Sequence, residues 1–147
     1  MKTKLLALAA FVLGASASAQ VLAHHSFAAE FDGNAPISVH GVVTKVDWTN
    51  PHTYIYVEAE NAAGEVEEWA LEMGSPNGLM RRGWTRNTLE IGTEVIIEGT
   101  RARDGSFKGN AQSVILAASC ERMFAGTSQR DFVEDESAGV EGCTPQA

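Results

Sequence analysis

From Ile37 to Leu116 the chain alternates short apolar-rich runs with turn residues, the pattern of consecutive β-strands. Ile37 to Trp48 is rich in valine and isoleucine and stops at Thr49-Asn50-Pro51, where proline fixes φ and holds its predecessor extended. His52 to Glu60 alternates cleanly, with Tyr54, Tyr56 and Glu58 on one face and Ile55, Val57 and Ala59 on the other. Asn61-Ala62-Ala63-Gly64 turns the chain, and Glu65 to Met73 alternates again through Trp69, Leu71 and Met73, so the two runs predict a hairpin. Ser75-Pro76 then offers a cap and a first helical residue, and Gly83 a stop, which predicts one short helix. Glu94 to Arg101 and Phe107 to Leu116 are two further strands joined at Asp104-Gly105.

The order β-β-β, helix, β-β predicts an all-β domain, a small five-stranded, partly open barrel of the oligonucleotide/oligosaccharide-binding (OB) type with its helix between strands 3 and 4. A small β-sandwich is the alternative arrangement of the same runs. The domain is expected over residues 24–118. Residues 119–147 carry Asp131, Glu134, Asp135, Glu136 and Glu141 without periodicity and read as an acidic, mostly irregular tail.

The first residues follow a different rule. Met1-Lys2-Thr3-Lys4 is a basic n-region, Leu5 to Gly14 an apolar h-region too short to span a bilayer, and Ala15 to Ala19 a run of small residues. Residues 1–23 therefore read as a secretory signal peptide with two fitting cleavage points, after Ala19 or after Ala23. With no twin arginine before the h-region and no cysteine after it, the expected product is periplasmic or secreted and carries no membrane anchor. Loss of Lys2 and Lys4 leaves nine basic residues against 19 acidic ones, a net charge of −10. Such a surface repels phosphate backbones, which argues against nucleic acid as a partner.

Cys120 and Cys143 are the two cysteines, and an oxidising compartment favours a disulfide between them. Their separation lacks the short spacing of redox or metal pairs.

Three segments, His24-His25-Ser26-Phe27-Ala28-Ala29-Glu30-Phe31-Asp32, Trp48-Thr49-Asn50-Pro51-His52-Thr53-Tyr54 and Trp69 to Asn77, carry a resemblance. The chain resembles a domain-of-unknown-function family of small exported bacterial proteins with His-His-Ser-Phe after the signal sequence and a Trp-Thr-Asn-Pro-His turn. The resemblance covers His24 to about Leu116 and implies a shared fold and an extracytoplasmic site, with no activity to carry over.

The candidate chemistry starts with the histidines. All four, His24, His25, His40 and His52, fall early, and imidazole is the commonest metal ligand. Cleavage after Ala23 would give His24 a free amine that chelates an ion together with its Nδ1, a geometry suited to Cu(II), and His25 and His52 would complete a nitrogen-rich site. His52 lies where the barrel's first ligand loop is expected, whereas His40 sits within a strand and is expected to pack and hydrogen-bond. Trp48, Tyr54 and Tyr56 are the candidate ligand-contacting aromatics, with packing as the equally simple role; Trp69 and Trp84 are expected in the core. Arg81, Arg82 and Arg86 are expected to pair with acids such as Glu72 or Glu90. No nucleophile elbow, phosphate loop, dinucleotide fingerprint or His-Glu-x-x-His motif is present. The expected function is thus a non-catalytic binding module. Either it binds a transition metal such as Cu(II), or it is a metal-free interaction domain for another exported protein or a small ligand.

Overall fold

A computed structural model describes residues 27–126 and Cys143. The signal peptide read at 1–23, His24, His25 and most of the acidic tail lie outside the described residues. After a helical turn at 27–30, the elements are β1 (Phe31–Asp47), β2 (Tyr54–Glu60), β3 (Val66–Glu72), α1 (Pro76–Met80), β4 (Glu94–Ala102), β5 (Lys108–Leu116) and β6 (Glu121–Phe124).

The strands form one mostly antiparallel sheet in the order β3-β2-β1-β4-β5-β6, and it curls until β3 meets β5 in a parallel pairing over Ala70–Glu72 and Lys108–Asn110. Curling is possible because two glycines let backbones close on one another. A Cβ on Gly41 would strike the Glu58 carbonyl oxygen, and one on Gly99 the carbonyl oxygen of Asn110, beside a register shift between Glu98 and Gly99.

The alternation read from the sequence is the one observed. Ile55, Val57, Leu71, Val95, Ile97 and Val114 are fully buried inside the ring with Val43, Met73 and Leu79, while Tyr54, Tyr56 and Glu58 face outward. Trp69 and Trp84 are buried, as expected. The short helix forms where its signals stand: Ser75 Oγ accepts from the Gly78 N–H, Pro76 opens the helix, Leu79 plugs the core and Gly83 leaves it at φ +87°.

Two expectations need correction. β1 starts at Phe31, six residues before the predicted run, because the polar stretch Asp32-Gly33-Asn34 is carried as an irregularity between the pairs Phe31↔Ala102 and Pro36↔Thr100. The strand count is six, not five. Residues 121–124, which read as irregular tail for want of periodicity, pair with Ser113–Leu116 of β5. Two long-range bonds secure this strand's end: the Trp84 indole donates to the Phe124 carbonyl at 2.7 Å, and the Gly74 N–H to the Ala125 carbonyl at 2.7 Å. Nothing in the local pattern signals those partners, which lie 40 or more residues away.

Cys120, just ahead of β6, is joined to Cys143 in the disulfide expected from the sequence. The bridge spans a separation of 23 residues, a loop whose closure contributes about 3 kcal/mol in the chain-entropy model. Isolated protein should therefore titrate no free thiol. Reduction should lower unfolding stability by about that amount in a denaturant melt, whereas an unchanged melt would show that the bridge constrains nothing. Among the described residues no helix is long and apolar enough to cross a membrane.

Candidate functional site

The Asn50–Pro51 turn ends at His52, and the β2–β3 ladder is extended past its last strand pair by Thr53 N–H to the Gly74 carbonyl and Met73 N–H to the Thr53 carbonyl. These bonds fix the backbone just after His52 against the end of β3. Register does the rest: Tyr54 lies directly opposite Glu72, so both side chains stand on the outer face within contact distance.

The result is a three-residue array. His52 Nδ1 lies 3.0 Å from Glu72 Oε1, and the Tyr54 hydroxyl donates to Glu72 Oε2 at 2.6 Å. Glu72 is the buried centre, its side chain only 8% exposed, while the His52 side chain is 39% exposed. A carboxylate so far from water is costly unless its oxygens are occupied, and here each oxygen has a partner. Nδ1 is the ring nitrogen that faces the carboxylate; with the proton there, Nε2 keeps its lone pair for a ligand. The same carboxylate–histidine pairing orients metal-binding imidazoles and raises their basicity.

Burial, the Glu72 hydrogen bond and the Glu72 charge push the Tyr54 phenol far above its ordinary range, and the Glu30 carboxylate adds to the rise. Tyr54 therefore stays a donor throughout the physiological range. Because the folded-state value is raised, stability is unaffected below the unfolded phenol value near 10 and falls as pH climbs past it. Ultraviolet titration should show one of the two tyrosines resisting ionisation, and Tyr54→Phe should remove that late transition; a late transition surviving in Tyr54→Phe would misplace the effect.

The other sequence candidates are dispersed. Tyr56 faces outward under the Lys45 ammonium, 4.8 Å from its ring centroid, and Lys45 also pairs with Asp47 at 2.7 Å. Trp48 instead packs against the core, next to Met73, Trp84 and Leu89. His40 is exposed rather than packed and bonds Glu94 at 2.8 Å, on the rim of an open groove of about 520 Å³ lined by Val42, Glu58, Ala59 and Val66. Of the three arginines, Arg82 stacks on the Phe124 ring and donates to the Gly126 carbonyl. Glu72, its expected partner, is taken by His52 and Tyr54.

Glu72 is the residue that sequence reasoning missed as a site member. Its signal was present: counting outward from the Asn61–Gly64 turn sets it opposite Tyr54, on the polar face of a strand whose other face is Trp69, Leu71 and Met73. Among the described residues no group of three or more His, Cys, Asp or Glu stands where it could hold a metal ion. His52 and Glu72 are a pair needing further donors.

No curated protein and no solved structure matches the chain. The family comparison does find a match, over residues 12–112, a stretch that holds the array together with His24 and His25. The chain belongs to DUF6152, a family of unknown function.

Proposed function

We propose that the protein is an exported, non-catalytic binding module on an OB-like barrel, and that it holds a transition metal such as Cu(II) through His52, His24 and His25. The observation that carries this reading is the array His52–Glu72–Tyr54, in which a buried carboxylate holds one imidazole by Nδ1 and leaves Nε2 for a ligand. The OB-like assignment is supported by the helix between β3 and β4 and by the parallel β3–β5 pairing that draws the sheet into a ring. Export is supported by the basic and apolar leader pattern and by the disulfide, a bond of oxidising compartments.

His24 and His25 precede Phe27 by only two or three residues, and Phe27 stands four residues ahead of β1. Two imidazoles and an amine from this arm would supply the donors that the pair lacks. Mass spectrometry of the exported protein establishes whether the chain begins at His24. If it does, one extra residue ahead of His24 should weaken Cu(II) binding strongly while keeping every imidazole, His52→Ala should weaken it too, and His40→Ala should leave it unchanged. Equal affinity in all three variants would refute the site.

A metal-free interaction domain is the second reading. It is favoured by the outward strip of Tyr54 and Tyr56 and by the neighbouring groove with exposed Val42 and Val66, a surface suited to another exported protein or a small ligand.

A further inference from the structure

β1 has a strand on each side for only part of its length. Its register with β4 runs from Pro36 to Val42, and its register with β2 begins at Val42 and runs to Asp47. Among the described residues, Pro36–Gly41 is therefore paired on the β4 side alone. The direction of its backbone groups follows from the residues beyond. Val43 donates its N–H to Thr93 and accepts from Gly92, both just ahead of β4, so by alternation the N–H and C=O of His40 and Ser38 are turned the other way, into the gap. Pro36 falls on the same alternation, where an open edge tolerates a residue with no N–H to offer.

The gap is a groove with its own chemistry. β2 closes on β1 at Gly41, where a Cβ would strike the Glu58 carbonyl oxygen, and here the strands bound the open volume of about 520 Å³. Val42 and Val66, 41% and 69% exposed, are its apolar surface, and Glu58, Glu60 and Glu94 its charged one. Glu58 also stands directly opposite Glu68 on β3, a like-charge pair that costs stability. No lysine or arginine lines the groove, and its histidine, His40, is bonded to Glu94. The edge thus selects an extended chain with basic outward side chains, whose stems would cover Val42 and Val66 while their heads reach the carboxylates. A second copy of this chain, with a net charge of −8, would bring more negative charge to the groove.

We propose that the free edge of β1 at Ser38 and His40 accepts, by strand addition, an extended segment of a partner protein in which lysine or arginine alternates with small apolar residues. The proposal rests on the interaction reading given above and is independent of the metal site.

Titration of the exported protein with the capped peptide Lys-Val-Lys-Val-Lys-Val, followed by NMR, tests it. At saturation the Ser38 and His40 amides should shift and exchange with solvent at least about tenfold more slowly. N-methylation of every peptide nitrogen, which keeps all side chains and removes the main-chain donors, should weaken binding at least about tenfold. Ser38→Pro should do the same with an unchanged melt, since only the open edge loses an N–H; the methylated peptide decides the matter if this variant fails to fold. Glu58→Gln combined with Glu60→Gln should weaken binding and flatten its salt dependence, and a Glu-Val peptide should not bind. Absence of Lys-Val binding would overturn the proposal. Equal binding of the methylated peptide would overturn strand addition and leave the groove a charged interaction surface. Shifts confined to Tyr54 and Tyr56 would also overturn it, while keeping the interaction reading for that strip.

Discussion

Gly99→Ala should destabilise the domain by about 3 kcal/mol, at the upper end of overpacking costs, and lower its melting temperature by roughly 15 °C. The new Cβ would meet the Asn110 carbonyl oxygen and sit 3.1 Å from the Ala111 Cα, and both are backbone atoms that cannot swing aside. Relief requires β4 and β5 to separate at the register shift that lets the sheet curl, next to the Thr100–Asn110 pair. Gly33→Ala is the control, since nothing lies within 4 Å of its Cβ, and it should change the melt little. A Gly99→Ala protein melting with the parent would mean that the strands part without cost and that this close approach does not hold the ring.

The second large effect falls on binding. Glu72→Gln should cost 10- to 100-fold in Cu(II) affinity, the usual penalty for losing the carboxylate behind a metal-binding imidazole. Glutamine keeps the shape and one acceptor oxygen, so the fold should persist, but it offers His52 no negative charge and can present an N–H where Nδ1–H needs an acceptor. Tyr54→Phe should act in the same direction and less strongly, because it removes one hydrogen bond to the carboxylate and leaves its charge. Competition titrations of the three proteins check the order. Parent-like affinity in Glu72→Gln would mean that the array serves folding alone.

Those two glycine and glutamate positions also show what was legible beforehand. The strands on either side of the Asn61–Gly64 turn were readable because a period of two, with Ile55, Val57 and Leu71 inward, admits one register for a buried face. The helix was readable from Ser75, Pro76 and Gly83, since capping is local chemistry. The disulfide was readable because two cysteines leave one intramolecular pairing, and the leader pattern points to an oxidising compartment. β6 was not, because a four-residue strand with no period to mark it owes its place to Trp84 and Gly74, both 40 or more residues away. The same holds for the site. Residue type and face mark His52, Tyr54 and Tyr56, but Glu72 reads from the sequence as a surface partner for arginine, since its burial is a tertiary fact. Trp48 reads as a ligand contact as readily as a packing residue, because composition cannot tell a half-buried core tryptophan from an exposed one.

The central claim is that His52 joins the N-terminal histidines in one metal site. Titration of the correctly processed protein with Cu(II) against a competing chelator tests it most directly. The account predicts an affinity well above that of an unstructured His-His peptide, falling with pH as protons compete for imidazole, and reduced to the peptide's level in His52→Ala. A parent affinity no better than the peptide's would contradict it and leave the metal-free interaction domain in its place.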